Sequence, residues 1–365
     1  MRDILTSRVD YIAITFNLQL FADAVVPPNA ETNMMTSKDT NIDVAFQKAN
    51  DQKFLEIHQE ALVFERYVGS VNLPAHSGNT VRFPKKHRIT PKNTLLTEGK
   101  TPDPNKIQLS AVTATVEQHG DYVMFTDVAL GTSIYDLMNV ARSGQAYESA
   151  EIKNALIRDD ILANDSIQQA YADKIATDGT KTEISAISAI TKDSKLTVDT
   201  VRKCVRILRN NNIKPVAGKD YVMFISPDQW YDLTADPEWK EMHQYADPTP
   251  MFDGEIGRIS GMRFVETTTV LITKNGANGA AVYHSIVLGA EAVDQIKMAN
   301  GGVSTIAKGL GSGGTADPLN QRATVGWKMF YGASVKDPLA VIELMTGSSN
   351  SDKAEATDLV TSNWE

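Results

Sequence analysis

The chain of 365 residues has one cysteine, Cys204, and no apolar run long enough to span a bilayer. A lone cysteine excludes an intrachain disulfide framework and a cysteine-rich zinc site. Without a run of about 20 apolar residues there is no transmembrane helix and no membrane partner. Positive charge is the scarcer sign, with 36 Lys and Arg against 45 Asp and Glu, a net charge of −9. That balance argues against a dedicated nucleic-acid binder, whose affinity rests on clustered cations. The six histidines (58, 76, 87, 119, 243, 284) are scattered, and none stands four residues from another as a helical metal site requires. Near the start, Tyr11–Phe16 is apolar and Ala22-Asp23-Ala24 has the look of a cleavage site. Asn17 and Gln19 interrupt that run after six residues, which is short for a signal peptide. A mobile N-terminal arm over residues 1–40 and an intracellular protein are expected.

What is present is an ordinary globular composition, 42% hydrophobic and 22% charged, enough for a real core and two or more domains. Residues 73–118 depart from it. From Pro84 to Lys106 six basic residues (Lys85, Lys86, Arg88, Lys92, Lys100, Lys106) face two acids, Glu98 and Asp103. Prolines 84, 91, 102 and 104 forbid a helix there. Alternating residues flank the stretch, Val81 and Phe83 before it and Val112, Ala114 and Val116 after it. The pattern predicts an extended hairpin arm, reaching roughly 36 Å at ~3.3 Å per residue. Such an arm leaves backbone groups unpaired unless it lies on something. In an acidic protein, a second copy of the same chain is the favoured support. Nucleic acid is disfavoured because no aromatic side chain interleaves the cations.

Elsewhere the periodicity predicts a helix over 43–68, with Phe54, Ile57, Ala61, Phe64 and Val68 on one face and Gly69 ending it. Tyr122–Phe125 reads as a strand closing the arm. Ser133 and Asp136 open a proline-free stretch to about Ala172 whose only internal glycine is Gly144. It is either one long spine helix or two helices broken at Gly144. A boundary is expected between Asp178 and Lys195. Val198–Arg209 reads as an amphipathic helix and Tyr221–Ile225 as a buried strand. Ser226-Pro227-Asp228-Gln229 is a capping box, and Asp236-Pro237 starts another helix. Strands at Met262–Thr273 and Ala281–Leu288 complete a mixed α/β lobe over 196–290. Gly301–Gly314 reads as flexible, Gln321–Val335 and Ala340–Met345 as strands returning to the arm's base, and 347–365 as a loose tail.

No constellation of catalytic residues emerges. Lys203 and Arg202 beside Cys204 could depress its pKa, yet no base accompanies it, so a structural cysteine is expected. The glycines of 309–314 lack the Gly-Lys-Ser/Thr ending of a phosphate loop. Asp159 with Asp160, and Asp121 with Asp127, read as solvated element ends. An enzyme, a cofactor and a metal are all unexpected.

Five strings then stand out: NLQLFA (17–22), LLTEGKTP (95–102), GDYVMFTD (120–127), GEIGRISGMRFVET (254–267) and DPLNQRATVGWKMF (317–330). In this order they resemble tailed-bacteriophage major capsid proteins, in particular the coat-protein group of N4-like phages. The resemblance implies an α+β, HK97-like fold: N-terminal arm (1–40), N-terminal helix (41–72), extended loop (73–118) and a peripheral domain with a spine helix (119–195). An axial domain (196–299), returning peripheral strands (300–346) and a C-terminal tail (347–365) follow. It implies that the long helix is a spine. It also implies hexamers and pentamers of an icosahedral shell around double-stranded DNA, with portal, scaffolding and decoration proteins as partners, assembled in the host bacterial cytoplasm. On this basis Lys85, Lys86, Arg88, Lys92, Lys100 and Lys106 contact a neighbouring subunit, with Glu148, Glu151, Asp159 and Asp160 as acidic partners. The competing readings are a nanocompartment (encapsulin-type) shell protein and, from another class, a two-domain hydrolase.

Overall fold

A computed structural model describes residues 54–357 apart from short stretches, the longest being 87–91 and 245–254. The expected N-terminal arm, residues 41–53 of the expected first helix, Arg88 and the last eight residues lie outside the described residues. Residues 54, 55, 57 and 58 are helical, but the helix does not continue to Val68: a 3-10 turn occupies Phe64–Tyr67. Gly69 is the first residue of β1 (Gly69–Leu73) and not a helix stop. The arm follows as β2 (Thr80–Lys86) and β3 (Leu109–Thr115), and β3 runs through Val116 into β4 (Glu117–Thr126).

A short helix α1 (Asp127–Thr132) leads to the spine, α2 (Leu137–Leu162). Ser133 does not cap the spine; it closes α1, and the Asp136 carboxylate accepts the Asn139 N–H at the N-terminus of α2. Gly144 lies inside α2 without breaking it. At 26 residues the helix is ~39 Å long, shorter than expected. After it the chain forms β5 (Gln168–Tyr171) and a small hairpin, β6 (Lys174–Ile175) and β7 (Lys181–Thr182).

The next helix, α3 (Val198–Asn210), shows how local signals suffice. Thr197 caps its first turn, Asp199 and Arg209 suit its two ends, and Val198, Val201, Cys204, Val205 and Leu208 form a buried stripe. Each such side chain contributes ~1.5–3 kcal/mol on burial, so a charge at Val201 would break this face. Then come β8 (Tyr221–Ile225), α4 (Pro227–Ala235) with its complete Ser226–Gln229 capping box, and α5 (Pro237–Gln244). The strand expected over Met262–Thr273 is two. After β9 (Glu255–Ile259), β10 (Met262–Glu266) and β11 (Leu271–Thr273) are separated by the Thr267–Val270 bend. Last come β12 (Val282–Leu288), β13 (Val293–Met298), β14 (Ser304–Lys308), β15 (Arg322–Tyr331), β16 (Ala333–Val335) and β17 (Val341–Thr346).

Five sheets result. The largest has the order β5-β17-β12-β8-β10-β9, with β11 also on β12. Thus β17, expected at the arm's base, is inserted in this sheet, antiparallel to β12 and parallel to β5. A second sheet, β14-β15-β4, includes Ser304–Lys308, so part of the glycine-rich stretch is a paired strand. A third is β1-β13-β16. The arm is the two-stranded ribbon β2-β3, with Lys86 opposite Leu109, and β6-β7 is the fifth.

The cores follow. One joins α2 (Ala146, Leu156, Ile157, Ile161) to Trp327, Met329 and Tyr331 of β15 and to Phe224 and Ile286 of the largest sheet. A second packs α3 on that sheet's other face. Residues 347–357 are not loose. Asp232 accepts from both the backbone and hydroxyl of Ser349, Asn350 donates to Asp228, and Thr357 N–H donates to Ile272 O.

Candidate functional site

The arm's root is held by a small apolar cluster. Phe83, Ala114 and Val116 from the ribbon meet Leu73 of β1 and Ile296 of β13, so the alternation read from the sequence faces inward as expected. Glycine is required where β15 gives way to β16: a Cβ at Gly332 would stand 2.3 Å from the Thr115 carbonyl oxygen. Pro84 is tolerated because a two-stranded ribbon is all edge.

Lys92, Lys100 and Lys106 are exposed. Lys85 and Lys86 lie in β2 opposite Ser110 and Leu109. Sequence reasoning counted these cations and passed over the apolar residues among them. Leu95 is 93% exposed, Leu96 72% and Ile107 67%. The available signal was a leucine pair inside a polar, proline-studded loop, with no periodicity to give it a home.

A second exposed apolar set lies on α1, the α1–α2 connection and the N-terminal half of α2: Val128, Ile134, Tyr135, Val140 and Tyr147. Acids accompany it, with Asp136 and Glu151 exposed and Asp127 and Glu148 half-buried. One surface is apolar and basic, the other apolar and acidic. Among monomers, exposed apolar groups of this size mark interaction surfaces.

The four carboxylates expected to receive the arm are not equivalent. Glu151 is exposed. Burial raises the pKa of Glu148, which hydrogen-bonds Asp121 of β4 and neighbours Glu151. Asp159 is buried, not solvated, and holds Arg158, whose Nε and Nη2 both lie 2.7 Å from Asp159 Oδ1. Asp160 accepts from the Tyr331 hydroxyl at 3.1 Å, and burial, with Asp159 and Glu117 nearby, pushes its pKa up to about 6. Of the four, Glu151 alone is exposed, while Glu148 is half-buried and engaged with Asp121.

Reactive chemistry has little footing. Burial pushes the Cys204 thiol up to about 12, against any effect of Lys203. His58 is packed, bonded to Ser149 at 2.8 Å, and burial lowers it to about 4. Among the described residues no three His, Cys, Asp or Glu side chains group as a metal site, and no helix is long and apolar enough to cross a membrane.

The spine helix, the two-stranded ribbon and the large mixed sheet make up an α+β fold. Solved structures share the fold. The capsid of Ralstonia phage GP4 matches with a TM-score of 0.60 at 15% identity, covering 79% of this chain and 91% of that one. The cyanophage Pam1 capsid matches at 0.57 and 15% identity (78% and 92% covered), and that of Helicobacter pylori bacteriophage KHP30 at 0.58 and 14% (78% and 91%). No curated protein sequence matches. A family model described as phage capsid protein matches residues 67–316, well over half of the chain, and the chain belongs to that family. It is a major capsid protein of HK97-like fold, a structural component of the virion shell, and the nanocompartment alternative is not favoured.

Proposed function

We propose that the shell is icosahedral, built of hexamers and pentamers around double-stranded DNA, and that the arm of one subunit lies on the α1–α2 ridge of its neighbour. The carrying observation is the pair of complementary surfaces. Leu95, Leu96 and Ile107 stand exposed among Lys92, Lys100 and Lys106, and Ile134, Tyr135 and Val140 stand exposed among Asp127, Asp136 and Glu151. Apolar burial supplies most of the contact, at ~25 cal/mol per Å². The ion pairs, with Lys85, Lys86 and Arg88 contributing, set register and orientation at ~0–1 kcal/mol each. Glu151 receives the cations; Glu148, engaged with Asp121, and Asp159 and Asp160, held by Arg158 and Tyr331, do not.

The protein runs no reaction and needs no cofactor. In this reading the peripheral domain comprises α2 with the β14-β15-β4 sheet, the axial domain the largest sheet with α3 to α5, and β17 crosses to the axial side. Portal, scaffolding and decoration proteins complete the particle, which assembles in the host bacterial cytoplasm and contacts DNA weakly and without sequence preference. Replacing Leu95 and Leu96 with Asp should leave a folded subunit that forms no closed particles in electron micrographs. Replacing Lys85, Lys86 and Arg88 with Glu should weaken assembly and make it salt-sensitive. Normal shells from the leucine variant would reject the arm contact.

A further inference from the structure

The strand β4 breaks its own pattern. Opposite the buried Ala323, Val325 and Trp327 of β15, β4 places a half-buried Phe125, an exposed Val123 and then Asp121, with His119 and Glu117 continuing the same face, all three titratable. Opposite them, α2 presents Glu148 and Asp160. Acid therefore neighbours acid at two points along one seam: Glu148 hydrogen-bonds Asp121, and Asp160 lines a cavity with the exposed Glu117. Between the walls lies a cavity of about 630 Å³ lined by Glu117, His119 and Asp160, with Trp327 and Tyr331 of β15 and Thr113 and Thr115 of the arm's root. No lysine or arginine lines it.

We propose that this seam is a proton-operated catch: protonation of its carboxyls closes the spine onto β4, and their ionisation loosens β4 together with the arm root.

The acids facing the two carboxyls act in this sense; the Tyr331 hydroxyl, the Ala333 N–H and Trp327 favour the ionised forms but are outweighed by burial. Around Asp160 stand Asp159 on its own helix, already matched by Arg158, then Glu117 and His119 on β4, the Tyr331 hydroxyl on β15 and the Ala333 N–H on β16. Around Glu148 stand Asp121 on β4, Trp327 on β15 and Glu151 on α2. Burial lowers the pKa of His119, against the pull of Glu117, so its charge is disfavoured relative to a free imidazole. Burial is the largest cause holding both carboxyls above their ordinary range. A shared proton turns a repelling pair into a hydrogen bond, whereas two adjacent carboxylates of like charge resist ionising together. The movement reaches the arm because β3 continues directly into β4, and because Thr115 is wedged against Gly332 at the cavity's edge.

The consequence for assembly rests on the arm-contact reading, but the catch is a property of one subunit and is tested there. Hydrogen exchange over residues 109–126 of the full chain, corrected for intrinsic rates, is compared near about pH 5 and about pH 7.5. A carboxyl moved from 3.8 to about 6 couples to opening by up to roughly a hundredfold. The native chain should therefore lose at least about tenfold protection in β3 and β4 at the higher pH. Asp160→Asn with Glu148→Gln should be flat and as protected as the native chain in acid. Glu117→Gln with Asp121→Asn, made on the opposite wall, should behave alike and serves where the first variant folds poorly. Equal native protection at both pH values, or a native response retained in either variant, overturns the catch. A working catch in subunits whose leucine variant still assembles would instead reject the arm contact alone.

Discussion

Replacing Arg158 with Met tests whether the spine is fastened to the largest sheet by charge. Arg158 is 1% exposed; two of its guanidinium nitrogens lie 2.7 Å from Asp159 Oδ1, and Nη1 donates to the Thr269 carbonyl at 2.8 Å. Thr269 sits in the bend between β10 and β11, so one side chain links α2 to that sheet. Methionine fills most of the volume and strands the Asp159 carboxylate in the core without its guanidinium. Breaking a buried pair from one side costs about 3–5 kcal/mol, a large part of the ~5–15 kcal/mol that holds a folded domain. Converting Asp159 to Asn in the same chain removes the stranded charge and should recover most of the loss. Urea unfolding of the single and double variants, followed by tryptophan fluorescence, measures both. A single variant within about 1 kcal/mol of the native chain, or a double variant no better than the single, refutes a charge-based fastening.

Three further outcomes are expected. Phe83→Ala opens a cavity among Leu73, Ala114, Val116 and Ile296, costing about 3–5 kcal/mol locally; hydrogen exchange should accelerate in β2 and β3 while β8 and β12 stay protected. Gly332→Ala places a methyl 2.3 Å from a backbone oxygen that neither neighbour can easily yield, and should lower the melting temperature by several degrees, roughly 2 °C per kcal/mol. Cys204, raised to about 12, should resist iodoacetamide at mildly alkaline pH until the protein is unfolded; fast labelling of the native chain would show α3 to be open.

The arm, α3, β8 and the capping box of α4 were legible because their signals are local: a period of two, a period near four, and a serine three residues before a glutamine. The end of the spine was not. No proline or glycine stands between Leu162 and Gln168, and the helix gives way to Gln168–Tyr171, which pairs in parallel with β17 some 170 residues away. The same long reach explains Val341–Thr346, whose six buried residues announced a core strand without saying in which sheet. Ser304–Lys308 looked flexible because its glycine neighbours dominated the composition, and pairing with β15 overrode them. Asp159 was misread because nothing in the order Arg-Asp-Asp tells that the arginine turns inward. The arm's leucines were passed over because a loop has no face to compare them with, and exposure only becomes visible against a folded body.

Two buried groups give the chain opposing responses to acid, and separating them is the sharpest test of these interior positions. His58 binds its proton near pH 4 when folded and near 6.5 when unfolded, so as pH falls below 6.5 the unfolded chain takes up a proton that the folded one refuses. Stability drops over that window by up to about 3 kcal/mol, at ~1.4 kcal/mol per pH unit. Asp160 does the reverse: folded near 6 and unfolded near 3.8, it takes its proton in the native state first, and stability rises by up to ~3 kcal/mol as pH falls from about 7 to about 4. Glu65 stays out of this range; despite its burial, Lys153 and Lys297 hold it near 2, and its contribution is lost only below about 4.5. The native chain should therefore show a shallow profile between pH 4 and 6.5, where the two slopes offset each other. His58→Gln should grow more stable on acidification from about pH 7 to about pH 5, and Asp160→Asn less stable over the same range. Chemical denaturation at matched ionic strength reads both, and parallel profiles in the two variants would mean that at least one of these side chains does not sit in the buried setting described.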